Sequence, residues 1–297
     1  MQDQRFRLVT LGRLGLRSRD GGEEPSLAKR RLKLAVLAVL AVERRPLPRD
    51  LLLEMFWGEQ EQTRARHSLS DALSHLRRVL GPAAISTREA DVALTDAAPL
   101  VIDAREFVDA VARKELGRAI ALYDGPFLHC VYVAASPSFE QWVERVRTRL
   151  EATFLKACAA HCAALAHAEQ WDEVGAVAAR WLDAAPTSVD AATFRLNAIN
   201  AAGTRESAVA ALAEYERLRV RLARELELAP DRGVAELAAR IAEQVKTLDA
   251  TPAPASAAQC TAHAFRNIAS RRVRTRSTHC SKLGLAATYT QCRKGPS

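Results

Sequence analysis

The sequence has no apolar segment long enough to cross a lipid bilayer. Its most apolar stretch, Leu32 to Val42, contains Lys33 and has arginines on both sides, whereas a membrane-spanning helix needs about 20 apolar residues. An apolar signal core followed by a small-residue cleavage site is also missing near the N-terminus. We therefore expect a cytoplasmic protein with no membrane partner.

Motifs of common enzyme classes are missing as well. No GxxxxGK[ST] phosphate loop, GxSxG nucleophile turn or HExxH zinc motif occurs in the sequence. Gly12 and Gly15 lack the third glycine and the following helix of a dinucleotide site. We expect no catalytic residue, no cofactor and no metal, and hence a protein that is not an enzyme.

The six cysteines form no CxxC pair. Cys158 and Cys162 lie one helical turn apart, with His161 beside them, so they could act as two metal ligands. Free cysteine is, however, among the most buried residue types. The sequence therefore favours core thiols in a reduced compartment.

Acidic residues are missing from one end of the chain. Residues 251–297 contain eight Lys or Arg and no Asp or Glu, and they begin with TPAPASAA, a linker composition. We expect residues 249–297 to be a basic tail without a fold of its own. The abrupt change of composition is also compatible with a shifted reading frame at this end.

Charge divides the rest of the chain into two parts. Residues 1–81 carry 16 Lys or Arg against 10 Asp or Glu, a net +6, and residues 82–250 carry 19 against 25, a net −6. A basic first part and an acidic second part are expected if the first contacts phosphates and the second does not.

The first 58 residues combine strand and helix patterns. Residues 5–17, RFRLVTLGRLGLR, alternate apolar residues with arginine, which predicts two short strands. Ser26 is the predicted N-cap of a long apolar helix, which ends before Pro46. A second helix is predicted from Arg49 to Trp57, with Gly58 as its stop and Trp57 in the core.

Residues 63–81, TRARHSLSDALSHLRRVLG, form a predicted amphipathic helix. Its apolar residues, from Ala65 to Leu80, recur at 3.6-residue spacing. The other face carries Thr63, His67, Ser70, Asp71, Ser74 and Arg78, and it is flanked by Arg64, Arg66 and Arg77.

This polar face is a candidate DNA-binding surface, because an α-helix fits the major groove. The side chains sized to approach base edges are those of Thr63, His67, Ser70 and Ser74. The arginines, Arg64, Arg66, Arg77 and Arg78, are better placed to contact phosphates or guanine. A solvated helix surface is the alternative interpretation of the same pattern.

A short hairpin is predicted after this helix, with strands at residues 85–87 and 92–94. Arg88 lies at its tip, where it could contact a phosphate or enter the minor groove, or contact only solvent. The order of two strands, three helices and a hairpin is that of a winged helix-turn-helix.

Helix patterns fill the sequence from residue 103 to 246. The predicted helices are 103–113, 115–123, 138–168, 171–183, 188–202, 205–227 and 231–247. Gly175 and Ala178 recur 33 residues later as Ala208 and Ala211, close to the 34-residue period of tetratricopeptide repeats. The predicted fold class is mainly α, with an N-terminal winged helix-turn-helix of α+β type followed by an all-α tetratricopeptide-like helical domain.

Several segments together resemble the bacterial transcriptional activator domain family, of the antibiotic-regulatory-protein type. They are VTLGRLGL (9–16), FWGE (56–59), ARHSLSDALSHLRRVLG (65–81), IDAREF (102–107), LYDGPFL (122–128) and FEQWVERVRTRL (139–150). In that family an OmpR-like winged helix precedes a tetratricopeptide-like domain. The resemblance implies a DNA-binding domain at 1–100, a helical domain at 101–248 and the tail at 249–297.

The resemblance also implies roles for two segments. The helix from Thr63 to Leu80 would be the recognition helix, which reads double-stranded DNA at promoter repeats. The loop after Gly58, formed by Glu59, Gln60, Glu61 and Gln62, would face RNA polymerase. The expected function is a DNA-binding transcription activator whose helical domain mediates self-association or binds a protein partner.

A function of a different class remains open at this point. The chain could be a helical-repeat interaction scaffold, with a winged helix that serves only as a protein-contact module. Steep loss of DNA affinity with rising salt would distinguish the regulator from the scaffold, because neutralised phosphates release counterions.

Overall fold

The computed structural model describes residues 5–28, 30–133 and 136–250. Residues up to Asp249 form one compact unit. The predicted basic tail lies outside the described residues, except for its first two positions, which belong to the last helix. No helix in the described ranges combines the length and the apolar character that a membrane span requires.

Six short strands and eleven helices are present in the described part of the chain. The strands are β1 (Phe6–Val9), β2 (Gly15–Ser18), β3 (Leu47–Pro48), β4 (Ile85–Arg88), β5 (Asp91–Leu94) and β6 (Leu100–Ile102). The helices of the first hundred residues are α1 (Pro25–Ala28), α2 (Arg31–Glu43), α3 (Arg49–Trp57) and α4 (Gln62–Leu80). The remaining helices are α5 (Asp103–Ala112), α6 (Leu116–Leu122), α7 (Pro137–His167), α8 (Trp171–Ala184), α9 (Val189–Asn200), α10 (Arg205–Glu225) and α11 (Arg232–Ala250).

The N-terminal sheet has the order β2-β1-β6. The two strands expected from the alternating pattern are confirmed as an antiparallel pair. The third strand, β6, lies parallel to β1, with Phe6 opposite Leu100. The sequence pattern did not predict β6, because parallel pairing over more than 90 residues leaves no local signal.

The second sheet, of order β3-β5-β4, contains the predicted hairpin. Strands β4 and β5 pair antiparallel from Ile85 opposite Leu94 to Arg88 opposite Asp91. The two-residue turn between them places Glu89 at a φ of 51°. Leu47 pairs with Val92, so the short strand before α3 joins the hairpin to the helices.

The single helix predicted from Ser26 is wrong, because the chain forms two helices there. Ser26 lies inside α1 and does not cap a helix; its N–H and hydroxyl donate to the Glu24 carboxylate at 3.3 and 2.8 Å. Arg30 N–H donates to Leu27 O at 2.8 Å, which closes a turn before α2. This turn allows Leu27 to be buried together with the apolar residues of α2.

Helix α3 has the predicted bounds, and Trp57 is buried as expected. Gly58 is its C-cap, although its backbone is right-handed, with φ −58°. A Cβ at this position would lie 2.9 Å from Glu54 O. Close backbone approach therefore favours glycine at this helix end.

All seven helices predicted in the second part are present, with ends that differ by at most three residues. Consecutive helices from α5 to α10 pack against one another. The small residues of the predicted repeats, Gly175, Ala178, Ala208 and Ala211, are buried in these contacts. A Cβ added to Gly175 would lie 3.2 Å from Arg195 Nη1 and 3.5 Å from Ala198 Cβ, so α8 and α9 pack closely at this position.

In the described part of the chain, buried apolar side chains form two clusters. The first extends from Leu8 to Ala191 and includes the cores of both sheets, α2 to α8 and the start of α9. The second extends from Ala192 to Ile241 in α9, α10 and α11. The first cluster includes residues on both sides of residue 100, the predicted end of the DNA-binding domain. That domain boundary stays a prediction.

Asp103, at the start of α5, binds the end of β1. Its buried carboxylate accepts from Thr10 N–H at 2.7 Å, Thr10 Oγ1 at 2.5 Å, Leu11 N–H at 2.9 Å and Ala104 N–H at 2.7 Å. Leu11 also forms a β-bridge with Phe127. The IDAREF and GPFL segments therefore both contact the chain that leaves β1.

The first turn of α7 packs against α3. Ser136 Oγ donates to Met55 O, Ser138 Oγ donates to Glu54 Oε1 at 2.9 Å, and the rings of Phe139 and Phe56 lie 5.0 Å apart. One turn further, Trp142 Nε1 donates to Glu43 Oε1 at 2.6 Å. The helical region thus supports the helix that precedes α4.

Candidate nucleic-acid interface

Helix α4 has one buried face and one exposed face, as its spacing predicted. Ala65, Leu69, Ala72, Leu73, Leu76 and Leu80 are buried, and Val79 is partly buried. The exposed residues are Thr63, Arg64, Arg66, His67, Ser70, Asp71, Ser74 and Arg78. Among the predicted contact residues of α4, Arg77 alone is half-buried. The candidate base-contacting side chains therefore share one accessible surface.

The N-terminus of α4 is capped by Glu61. Its carboxylate accepts from Thr63 N–H at 2.9 Å and from Arg64 N–H at 3.1 Å. These backbone hydrogen bonds hold the pKa of Glu61 below its usual value. An acidic residue just before a predicted helix is a local signal that could have identified this cap.

The capping role changes the description of the predicted polymerase-facing loop. Glu59 and Gln60 are exposed in the loop, and Gln62 is the first residue of α4. Glu61 holds the helix start with the same carboxylate that the sequence interpretation assigned to a partner. Of the four residues predicted to face RNA polymerase, Glu59 and Gln60 are therefore the two that lie in the loop and do not cap α4.

Asp71 lies on the exposed face of α4 with a positive partner. Lys33 Nζ, on α2, lies 2.7 Å from Asp71 Oδ2, and the lysine side chain is only 13% exposed. The hydrogen bond from Lys33 lowers the pKa of Asp71. The negative charge that appeared on this face in the sequence is thus compensated by a residue 38 positions earlier.

Arg49 joins the same surface, although the sequence interpretation did not include it. It is the first residue of α3, and its Nη2 donates to Ser70 Oγ at 3.3 Å. Its backbone N–H donates to Ala90 O at 2.7 Å, at the turn of the hairpin. No sequence pattern pairs residues 49 and 70, so only the folded chain reveals this guanidinium beside α4.

Arg77 connects α4 to the hairpin. Its Nε donates to Ile85 O and its Nη2 to Thr87 Oγ1, both at 3.0 Å. Arg64, Arg66 and Arg78 have no such hydrogen bond or ion pair among the described residues. The four predicted arginines therefore differ: one fixes the hairpin to the helix, and three extend into solvent.

The tip of the hairpin presents Arg88. Its side chain is exposed, and Glu89 and Asp91, on either side of the turn, are exposed as well. The hairpin thus adds one positive and two negative groups beyond the end of α4. Arg88 is accessible, but its surroundings are less basic than those of α4.

The family model of the bacterial transcriptional activator domain matches residues 90–242, more than half of the chain. The chain belongs to this family. The assignment made from the sequence segments is therefore confirmed, and the chain is a transcription regulator of the antibiotic-regulatory-protein type.

A solved structure is also similar to this member of the bacterial transcriptional activator domain family. It is "Mycobacterium tuberculosis EmbR in complex with low affinity phosphopeptide", with 25% sequence identity and a TM-score of 0.58. The match covers 89% of this chain and 71% of that chain. It confirms the predicted fold class, a winged helix followed by a helical region. No curated protein matches the sequence.

Two titratable thiols of this family member are buried in α7. Cys158 and Cys162 are fully buried, as predicted for core thiols. Burial raises the pKa of Cys158 to about 12 and that of Cys162 to about 11. Within the described ranges, no group of three or more His, Cys, Asp and Glu side chains could hold a metal.

His75 is a buried residue of α4 that the sequence interpretation placed on neither face. It is 7% exposed, and its Nε2 has no hydrogen-bond partner among the described residues. Burial, and then the positive charges of Lys33 and Arg30, lower the pKa of His75. The ring therefore stays neutral beneath the exposed face at neutral pH.

Proposed function

We propose that this regulator binds double-stranded DNA in a sequence-dependent manner through α4 and activates transcription by recruiting RNA polymerase at promoter repeats. The observation that supports the proposal most directly is the division of α4 into a buried apolar face and an exposed polar face. That exposed face combines short side chains, which suit base edges, with arginines, which suit phosphates.

The contacts of α4 with its neighbours also support this role. Lys33 compensates Asp71, Arg77 holds the hairpin, and Glu61 caps the first turn. A recognition helix must be held rigidly to read base edges, because a displaced side chain loses its hydrogen bonds. Arg49 adds a further candidate phosphate contact beside Ser70.

A titration of DNA binding against salt tests the proposal with the full chain. We expect affinity to fall steeply as salt rises, because each neutralised phosphate releases about one counterion. Binding that is weak at low salt and insensitive to it would favour the interaction scaffold and overturn the proposal. Selection from random duplexes would then identify the sequence that α4 reads.

Substitutions separate phosphate contacts from base contacts. We expect Arg78→Ala to weaken binding to every duplex, and Ser70→Ala or Ser74→Ala to change the preference between sequences, with a cost of about 1–3 kcal/mol at the affected base pair. Arg240→Ala removes an exposed arginine of α11 and serves as a matched control. Equal loss on all duplexes from every variant would contradict the assignment of the face.

Polymerase recruitment needs a separate measurement. Glu59→Ala and Gln60→Ala should leave DNA affinity unchanged and reduce activated transcription in a purified system. Glu61→Ala is not a clean test, since it removes the cap of α4. If both loop variants activate fully, the polymerase contact lies elsewhere on the regulator.

Binding at promoter repeats requires two copies, and we propose that the helical region supplies the contact between them or to another protein. The end of α10 and the following turn expose Val220, Leu226 and Leu228 by 54%, 49% and 58% of their surfaces. Sedimentation of the full chain with and without a two-repeat duplex measures the number of copies bound. A single copy on a two-repeat duplex at saturation would contradict this part of the proposal.

A further inference from the structure

A cavity of about 530 Å³ lies between the N-terminal sheet, α2 and residues 129–131. We call it the junction cavity, and its lining includes Arg13, Gly15, Glu23, Arg31, Leu34 and His129. Its volume is in the range of sites that take small organic molecules, about 300–1,000 Å³. It is separate from the α4 surface, so the proposed DNA contacts do not account for it.

The lining of the junction cavity combines positive charge with an apolar floor. Arg13 and Arg31 have no ion pair or hydrogen bond to another described residue, so their guanidinium groups remain available. Leu34 is buried and belongs to the first core cluster, whereas Glu23 is the one carboxylate among the lining residues that the structure describes. Two free guanidinium groups over an apolar floor suit an anion with a hydrocarbon body.

The backbone beside the cavity is fixed to the N-terminal sheet. Leu128 and Cys130 have φ values of 48° and 60°, so the two residues that flank His129 are left-handed although neither is glycine. Leu128 N–H donates to Thr10 O and His129 N–H to Gly12 O, both at 2.8 Å. A left-handed residue other than glycine costs free energy, and these two hydrogen bonds help to maintain the conformation of residues 128–130.

From these observations we propose that the junction cavity binds a small amphipathic organic anion, such as a medium-chain carboxylate. Arg13 and Arg31 bind the carboxylate, and the chain lies against Leu34. The ligand contacts both the N-terminal sheet and residues 129–131 of the helical region. Its binding therefore stabilises the folded chain by mass action.

The test uses anilinonaphthalene sulfonate as a fluorescent probe and octanoate as a competitor, with the full chain and no DNA. We expect one saturable probe site per chain, from which octanoate displaces the probe. Octylamine, with the same hydrocarbon body and the opposite charge, should not displace it, and neither should inorganic phosphate. Displacement by octylamine or by phosphate as effective as that by octanoate would overturn the proposal.

Variants assign the binding to this cavity. Arg13→Gln and Arg31→Gln should each weaken octanoate binding by about tenfold, the loss of one charge-assisted contact. Glu23→Gln should strengthen it, because the carboxylate repels the anion. Arg17→Gln, an exposed arginine of β2 outside the lining, should have no effect.

Gly15→Leu tests the space independently of charge. Gly15 lines the cavity and a Cβ there would meet no atom within 4 Å, so a leucine can be added to the lining without a backbone clash. We expect loss of octanoate binding with an unchanged thermal unfolding midpoint. Binding that survives Gly15→Leu and both arginine variants would place the probe elsewhere and refute the site, whatever the outcome of the DNA experiments.

Discussion

The two clusters of buried side chains differ in what they connect. The first joins the winged helix to α5, α6, α7 and α8 in one continuous core, whereas the second lies within α9, α10 and α11. The net charge changes sign after residue 81 and helix patterns fill the sequence from residue 103, yet the packing continues across both positions and divides within α9. We therefore expect the winged helix and the first helices after it to be stabilised together, while the last helices have a core of their own.

The largest expected effect comes from truncation of a first-cluster residue between the two predicted domains. Phe127 is fully buried beside Trp142, and Phe127→Ala should lower the free energy of unfolding by about 3–5 kcal/mol. We expect lower hydrogen-exchange protection in α4 as well as in α7. Leu196→Ala, in the second cluster, is the matched control and should leave protection in α4 unchanged. If both variants lower the hydrogen-exchange protection of α4 equally, the two clusters do not differ in their contribution to the stability of α4.

A second, smaller effect is expected at the start of α5. Asp103→Asn keeps the size of the side chain but places an amide group against N–H donors, so the free energy of unfolding should fall by about 1.5–3 kcal/mol. Asp109→Asn, at an exposed position paired with Arg44, is the control. Urea unfolding curves measure both. If Asp103→Asn lowers the free energy of unfolding no more than Asp109→Asn does, the Asp103 carboxylate does not stabilise the contact between α5 and the end of β1.

Alkaline pH should act on the first cluster through its thiols. Because burial raises the pKa of Cys158 to about 12 and of Cys162 to about 11, both stay protonated in the folded chain when they would ionise in the unfolded one. Their contribution is complete below the unfolded pKa, near 8.5, and is lost as pH rises towards the folded values. Near pH 10 it should have fallen by about 1–2 kcal/mol per thiol.

The measurement is urea unfolding at pH 8, 9 and 10. The double variant Cys158→Ala with Cys162→Ala should show a shallower loss of stability between pH 9 and 10 than the parent chain. Cys130→Ala removes an exposed thiol and should keep the parent slope. If the double variant loses stability with pH as steeply as the parent chain, other groups, such as Tyr123 with its raised pKa, account for the whole pH dependence.

The smallest expected effect on stability is at the surface pair of α2 and α4. Lys33→Met should change the free energy of unfolding by less than about 1 kcal/mol, because Asp71 is 65% exposed. Its effect on DNA affinity should be larger, since it leaves the Asp71 charge uncompensated on the proposed interface. Adding Asp71→Asn should restore affinity. Arg205→Ala, which breaks an exposed pair with Asp249 at the far end, should leave affinity unchanged.

The sequence predicted local features better than contacts between distant segments. The bounds of α3 and the faces of α4 follow from helical spacing, which needs only neighbouring residues. The break between α1 and α2 was missed because no glycine or proline marks it, and the burial of Leu27 becomes visible only in the folded core. Strand β6 was missed because its partner lies at the other end of the winged helix.

The candidate interface shows the same division. The exposed residues of α4 were predicted from its spacing, but their partners were not. Lys33 is 38 residues from Asp71, and Arg49 is 21 residues from Ser70. Arg77 was predicted to contact DNA because of its charge, and this stays a prediction. Its half-burial against the hairpin results from packing, which charge alone does not indicate.

Helix α7 has 31 residues, which makes it about 46 Å long at 1.5 Å per residue. Its first turn packs against α3 and it also packs against α8. One continuous helix therefore connects the winged helix to the helices stacked beyond it. A tilt of about 5° at the fixed end moves the far end by about 4 Å over such a length. A molecule that reorients α8 would therefore displace α3, the helix before α4, through the movement of α7 alone.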